Sequence, residues 1–206
     1  MLFDLDGTVV DTIPLILASY AHAIDQVLGE PLDEAEARRW IGRSLSDTLA
    51  ERYPGHEAAL VDAYIEFNKT AAPSLLRRVE GMEDALDALR VAGVLVGVAT
   101  SKRRFSAFQT LELAGLADAF EVIVTAEDTQ AHKPDPAPLL LAATRLGGDG
   151  PMAYVGDAVV DIQAAAAAGF ASVAVTWGAG EPDELREAGP MAIVQTPAEL
   201  VRLVVG

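Results

Sequence analysis

The opening stretch "MLFDLDGTVVDT" places Asp4 and Asp6 at the end of an apolar run. Side chains alternate along a strand, so the two carboxylates point the same way. No basic residue lies within the stretch to offset them. A second acidic pair, Asp157 and Asp161 in "VGDAVVDI", follows another apolar run at the spacing of one helical turn. "VLVGVAT" ends on Thr100, with Ser101 and Lys102 behind it, and Lys133 precedes a proline in "AHKPDPAP", which favours an extended loop at a helix entrance. Four acids gathered at one place would raise one another's pKa and oppose folding unless a bound cation neutralised them. Hard carboxylate oxygens, with no Cys in the chain and no clustered His, suit Mg²⁺, which keeps several waters and joins a few carboxylates to a phosphate. A metal and a lysine would then screen the charge of an incoming phosphoryl group while a carboxylate attacks it.

These groups meet only if the elements bring them together. In the C-terminal two thirds a helical stretch repeatedly closes on a glycine and a short apolar run follows: "ALDALRVAG" then "VLVGVAT", "TLELAG" then "EVIVT", "IQAAAAAG" then "ASVAVT", and "ELREAG" then "MAIVQT". Gly93, Gly115, Gly169 and Gly189 stand where a helix would end in a left-handed residue. Strands alternating with helices of about ten residues predict an α/β fold, a doubly wound parallel sheet covered on both faces. "LFDL" and "AYVGD" add two further strands. Sites in such sheets lie beyond the carboxyl ends of the strands, which is where all the chemical groups fall.

Residues 13–78 break the rhythm. "IPLILASYAHAIDQVLG", "DEAEARRWIG", "SLSDTLAERY" and "HEAALVDAYIEFNKT" carry apolar residues at helical spacing, with Ser44 to Asp47 as a capping box and no strand between them. An inserted helical subdomain is expected over 13–78, with residues 1–12 and 79–206 forming the core. The Ala run 164–168 suits a helix packed closely on a sheet.

Taken singly, each group has an ordinary reading. "DG" between apolar runs is a hairpin signal, and Asp157, Thr100 and Ser101 could be helix caps. Lys133 reads as a solvated loop lysine and "KRR" at 102–104 as a solvated face. The combination is what points to chemistry. His22, His56 and His132 match no paired-ligand spacing, and "WGAGEPD" lacks the third glycine of a dinucleotide fingerprint.

Composition narrows the partners. The 206 residues, 51% hydrophobic, are enough for a sizeable core. Fifteen basic residues against 31 acidic give a net charge of −16, which disfavours nucleic acid and anionic membrane surfaces. The absence of Cys excludes disulfides and thiol nucleophiles. Without a signal-like or membrane-length apolar run, a soluble cytoplasmic protein is expected.

"DLDGT", "VATSK", "KPDPAP" and "VGDAVVDI", in that order, resemble the four motifs of the haloacid dehalogenase superfamily. The resemblance spans nearly the whole chain and implies a Rossmann-like core, a helical cap, and hydrolysis through an aspartyl-phosphate. It implies that Asp4 is the nucleophile and Asp6 the general acid and then base. It further implies that Thr100, Ser101 and Lys133 hold the phosphate. The Mg²⁺ ligands would be Asp4, the backbone carbonyl of Asp6, and Asp157, with Asp161 supporting through water or Lys133. Asp6 points to phosphoryl transfer, since the dehalogenase branch works without it. Ile16, where the sugar-phosphate mutase branch usually has His, weakens that reading. "DTIPLILASYAHAI", "IGRSLSDTL" and "YIEFN" look more like the phosphoglycolate phosphatase group and its inorganic pyrophosphatase relatives. Within that cap Arg43 is expected to reach the substrate, because its fork matches carboxylate or phosphate geometry.

A phosphatase of small phosphate monoesters is therefore expected. Phosphoglycolate, pyrophosphate and a sugar phosphate all remain open as substrates. A phospho-acceptor signalling module could also combine clustered acids, Thr or Ser, Lys and Mg²⁺, but would need neither Asp6 nor the insertion. A third reading, nucleotide binding through "WGAGEPD", rests on a lone Gly-x-Gly.

Overall fold

A computed structural model describes residues 1–147 and 150–206. The chain opens with β1 (Leu2–Phe3), turns back through β2 (Val10–Asp11), and enters four successive helices: α1 (Ile13–Leu28), α2 (Glu34–Arg38), α3 (Leu45–Arg52) and α4 (Glu57–Leu75). It returns through β3 (Arg77–Arg78) to α5 (Met82–Val91), β4 (Gly97–Ala99), α6 (Arg104–Ala114), β5 (Val122–Val124), α7 (Ala137–Leu146), β6 (Ala153–Gly156), α8 (Val159–Ala168), β7 (Ala171–Val175), α9 (Pro182–Glu187), β8 (Ala192–Val194) and α10 (Pro197–Val205). The sheet has six strands in the order β5-β4-β1-β6-β7-β8, all parallel. This is the α/β doubly wound architecture that the strand-helix alternation predicts. Gly93, Gly115, Gly169 and Gly189 all take positive φ, between 71° and 78°.

Alternation along each strand divides the core in two. Phe3, Val98 and Val155 pack with Leu86, Leu89 and Leu111 of α5 and α6 on one face. Their neighbours Leu2, Ala99 and Tyr154 pack on the other face against Leu139 of α7 and Ala164 and Ala165 of α8. The two fully buried alanines explain the small-residue run, since they let α8 lie close to the sheet. β1 sits between β4 and β6, with Leu2 opposite both Gly97 and Tyr154. The chain builds outward from β1 on one side, then crosses over to build the other. The carboxyl end of β1 is thus the point where strand order reverses, the ordinary place for a site in an open parallel sheet.

The helices α1–α4 have a hydrophobic core of their own, centred on Ile16, Tyr20, Ile24, Trp40, Leu49 and Leu60. Tyr20 meets Trp40 and Tyr64 edge-on, at ring-centroid distances of 5.2 and 4.8 Å. The Ser44 hydroxyl accepts the Asp47 N–H at 3.4 Å at the start of α3. An antiparallel pair, Val10 opposite Arg78 and Asp11 opposite Arg77, closes the base of the insertion. Sequence periodicity does not reveal this pair, because two residues are too few to show a period.

Candidate active site

Asp4 is the first residue past β1, yet its N–H still donates to Val155 O at 2.8 Å, so the strand's pairing fixes it at the sheet edge. The chain then folds into a tight turn. Val9 and Val10 N–H both donate to Leu5 O, and Gly7 takes φ +80°, a left-handed conformation. The turn brings Thr12 back to Asp6, whose Oδ1 accepts from Thr12 Oγ1 at 2.6 Å. The "DG" signal therefore does mark a turn, and the turn aims the two acids.

Lys133 reaches in from the loop before α7. Its Nζ donates to Asp4 Oδ1 at 2.7 Å, Asp161 Oδ1 at 2.6 Å and Tyr154 Oη at 3.1 Å. With a side chain 1% exposed it is the opposite of a solvated loop lysine. Tyr154 Oη in turn donates to Ala99 O at 2.6 Å, tying β6 to the end of β4. Asp161 Oδ2 accepts the Ala158 N–H at 2.9 Å, so this carboxylate both starts α8 and holds Lys133.

Asp157 does not cap α8. Its Oδ1 accepts from Thr8 Oγ1 at 2.9 Å and its Oδ2 from Ala179 N–H at 2.6 Å. The "WGAG" loop thus serves as a clamp on Asp157 rather than as a nucleotide-binding turn. A Cβ at Gly178 would sit 2.2 Å from the Asp157 Cβ, and one at Gly7 2.3 Å from its Oδ2, so backbone closes on this acid from two sides.

The electrostatics follow from this crowding. Burial pushes the Asp4 carboxyl up to about 8; Lys133 pulls it down, and Asp161, Asp157 and Asp6 push it up further. Burial and Asp161 push Asp157 up to about 7, against the Ala179 and Thr8 hydrogen bonds. Burial would lower Lys133, but Asp161 and Asp4 raise it well above its ordinary value, which keeps it charged. One lysine faces three buried acids. Asp4, Asp157 and Asp161 each offer an oxygen within 4.8 Å of the others, and Asp4 Oδ2 is buried with no hydrogen-bond partner. An orphaned carboxylate oxygen beside a second acid fits a hard divalent cation. Both Asp161 oxygens are engaged by Lys133 and the Ala158 N–H, which favours support of the cluster over direct ligation.

The remaining expected residues lie outward from the acids. Thr100 lines the cavity above Asp4, with its N–H donated to Val124 O at 2.9 Å and its Oγ1 accepting Lys102 N–H at 3.1 Å. Ser101 departs from the expectation of a phosphate-directed hydroxyl, because its Oγ donates to Gly42 O of the helical insertion at 2.8 Å. Arg43 lines the same cavity, but one of its Nη atoms pairs with Glu51 at 2.5 Å. The reading of "KRR" as a solvated face is wrong at its first residue. Lys102 Nζ lies 2.7 Å from Asp6 Oδ1 with its side chain 7% exposed, while Arg103 and Arg104 turn outward to Glu127 and Asp128.

Several site residues were not anticipated. Lys102 had a signal, its fixed place three residues beyond the end of β4. Asn68, buried on α4 and donating to Ser19 Oγ at 3.1 Å, stands out only as a polar residue in an apolar helical stretch. Tyr154 reads in sequence as an ordinary strand aromatic. No described helix is long and apolar enough to cross a membrane.

The haloacid dehalogenase-like hydrolase family matches residues 1–175. Pyrophosphatase PpaX of Bacillus pumilus (strain SAFR-032) is 35% identical over 205 residues, covering 99% of this chain and 95% of the relative. Phosphoglycolate phosphatase of Xylella fastidiosa (strain 9a5c) is 37% identical over 184 residues, covering 86% of this chain and 80% of the relative. The crystal structure of a predicted phosphatase from Clostridium acetobutylicum superimposes with a TM-score of 0.87 at 27% identity, covering 99% of this chain and 96% of that one. With motif order, sheet topology and relatives in agreement, the chain belongs to the haloacid dehalogenase-like hydrolases.

Proposed function

We propose that the protein is an Mg²⁺-dependent phosphatase of a small phosphate compound, working through a phosphorylated Asp4. The observation that carries this reading is the Asp4 carboxylate: one oxygen is held by Lys133 and the other is buried with no partner. Asp4, the backbone carbonyl of Asp6, and Asp157 would hold Mg²⁺, with Asp161 behind them. When bound, the ion offsets negative charge on the transferring phosphoryl group.

A carboxylate oxygen of Asp4 attacks phosphorus, and the bond from phosphorus to the leaving oxygen breaks. Asp6 gives that oxygen a proton, then takes one from the water that cleaves the Asp4–phosphoryl bond, releasing phosphate and restoring Asp4. Lys133 and Thr100 hold the phosphoryl oxygens, and Lys133 stays fixed through Asp161 and Tyr154. Residues 13–78 act as a cap that excludes water and bulky substrates. Ser101 joins this cap to the loop after β4 through Gly42. A phosphoglycolate-type monoester is the substrate class favoured here, and pyrophosphate is the alternative, each drawn from a relative's name.

Acid quenching during turnover with Mg²⁺ should trap a transient phosphoryl adduct on the peptide containing Asp4. Asp4→Asn should release no phosphate, and Asp6→Asn should lower the rate by roughly 10² to 10⁴. Persistent phosphate release by Asp4→Asn refutes the mechanism. One-to-one labelling without catalytic release identifies a phospho-acceptor module instead.

A further inference from the structure

Trp177 lies two residues beyond β7, at the start of the segment that closes on Asp157. Its Nε1–H donates to the Thr8 carbonyl at 3.0 Å, across 169 residues of chain. Thr8 in turn donates its hydroxyl to Asp157 Oδ1 at 2.9 Å, and Asp157 Oδ2 accepts the Ala179 N–H at 2.6 Å. Three hydrogen bonds therefore close a ring through the turn after β1, the Asp157 carboxylate and the segment 177–179. The ring has no slack on the Asp157 side. Gly180 N–H donates to the Asp157 carbonyl at 3.0 Å, and a Cβ at Gly180 would lie 2.2 Å from that oxygen. Thr176 N–H, bonded to Val194 O at 3.1 Å, anchors the other end of the segment to β8. The Trp177–Thr8 bond is thus the tie that sets how far the first turn stands from Asp157. The indole also borders a cavity beside Val79 and Pro197, which leaves the ring room to move once that bond is lost.

Both Asp157 oxygens keep a lone pair for a cation after these bonds. Mg²⁺ demands near-octahedral ligands at about 2.0–2.1 Å, while Ca²⁺ accepts about 2.3–2.6 Å and irregular geometry, so a cradle of fixed span favours the smaller ion and a loose one does not. We infer that Trp177 is a positioning residue for the cation: by tying the turn after β1 to the Asp157 segment, it holds the acids at a span that selects Mg²⁺ over Ca²⁺. This rests on the reading that Asp4 and Asp157 hold the ion. Trp177 acts only through Thr8 and Asp157, as outer-shell partners of metal ligands do.

The test needs no substrate. Titrating Mg²⁺ and Ca²⁺ separately into the metal-free protein at one pH, with Tm as the readout, gives a dissociation constant for each ion. The wild type should bind Mg²⁺ the more tightly. Trp177→Phe, which keeps an aromatic ring but loses the N–H, should lower the ratio of the Ca²⁺ constant to the Mg²⁺ constant roughly 2- to 10-fold, the worth of one neutral hydrogen bond. A lower metal-free Tm with that ratio unchanged marks Trp177 as structural only and overturns the inference. A wild type that binds Ca²⁺ as tightly as Mg²⁺ overturns it too, without any variant having to fold. A Tm that moves with neither ion overturns the reading of a cation site itself, and this inference with it.

Discussion

Tyr154 shows how much of this site depends on residues that do no chemistry. Its hydroxyl is buried between Lys133 Nζ and Ala99 O, a donor and an acceptor that have no water to turn to. Tyr154→Phe should lower the unfolding free energy by about 1–3 kcal/mol, the cost of leaving a buried carbonyl unpaired, as read by urea denaturation. A stability equal to the wild type would show that Ala99 O and Lys133 find other partners. At this scale the sequence was legible in where the groups meet: Asp4, Asp6 and Asp157 just beyond strand ends, Asp161 a helical turn into α8 and Lys133 in the loop before α7. It was not legible where the role came from a distant partner. Tyr154 needs Lys133 in order to matter, and Lys102 hides in a basic run until its Nζ meets Asp6, 96 residues earlier in the chain.

Among elements, one glycine of the helical insertion sits directly against the core. Gly42 takes φ +92°, and a Cβ there would meet Ala158 Cβ at 3.0 Å and Val160 Cγ2 at 3.2 Å, while its carbonyl accepts from Ser101. It therefore touches both the loop after β4 and the start of α8. Gly42→Ala should cost roughly 1–2 kcal/mol from the left-handed backbone alone. It should also lower kcat/KM by shifting the insertion on the core, which steady-state assays at saturating Mg²⁺ will measure. Wild-type kinetics in that variant would mean that the seat of the insertion does not govern turnover. Repeated helix-glycine-strand units made the six-stranded sheet readable from the chain. The β2–β3 pair was not readable, because two-residue strands paired from opposite ends of the insertion leave no local pattern.

For the molecule as a whole, the acidic cluster links stability to pH. Asp4 and Asp157 have folded pKa values of about 8 and 7, above the ordinary 3.8, so the folded state holds more protons than the unfolded chain. Their contribution is fully present below the unfolded value and is lost as pH rises through 7 to 8. In chelator, Tm should therefore fall between pH 5 and pH 8, and the rise in Tm on adding Mg²⁺ should be larger at pH 8, where the ion displaces fewer protons. Asp128, lowered to about 2 by Thr125, Arg145 and Arg104 against the effect of burial, acts oppositely but only below this window, where its stabilisation is lost. A scanning-fluorimetry Tm that rises from pH 5 to pH 8 in chelator would contradict the crowding.

The central claim is that the buried carboxylates at positions 4 and 157 hold a divalent cation without which phosphate transfer to Asp4 fails. Phosphate release from phosphoglycolate and pyrophosphate, measured after chelation and again as Mg²⁺ is returned, tests it most directly. Release should vanish in chelator and recover with added Mg²⁺ in the wild type, with recovery shifted to far higher Mg²⁺ in Asp157→Asn. Undiminished release in chelator would contradict the account.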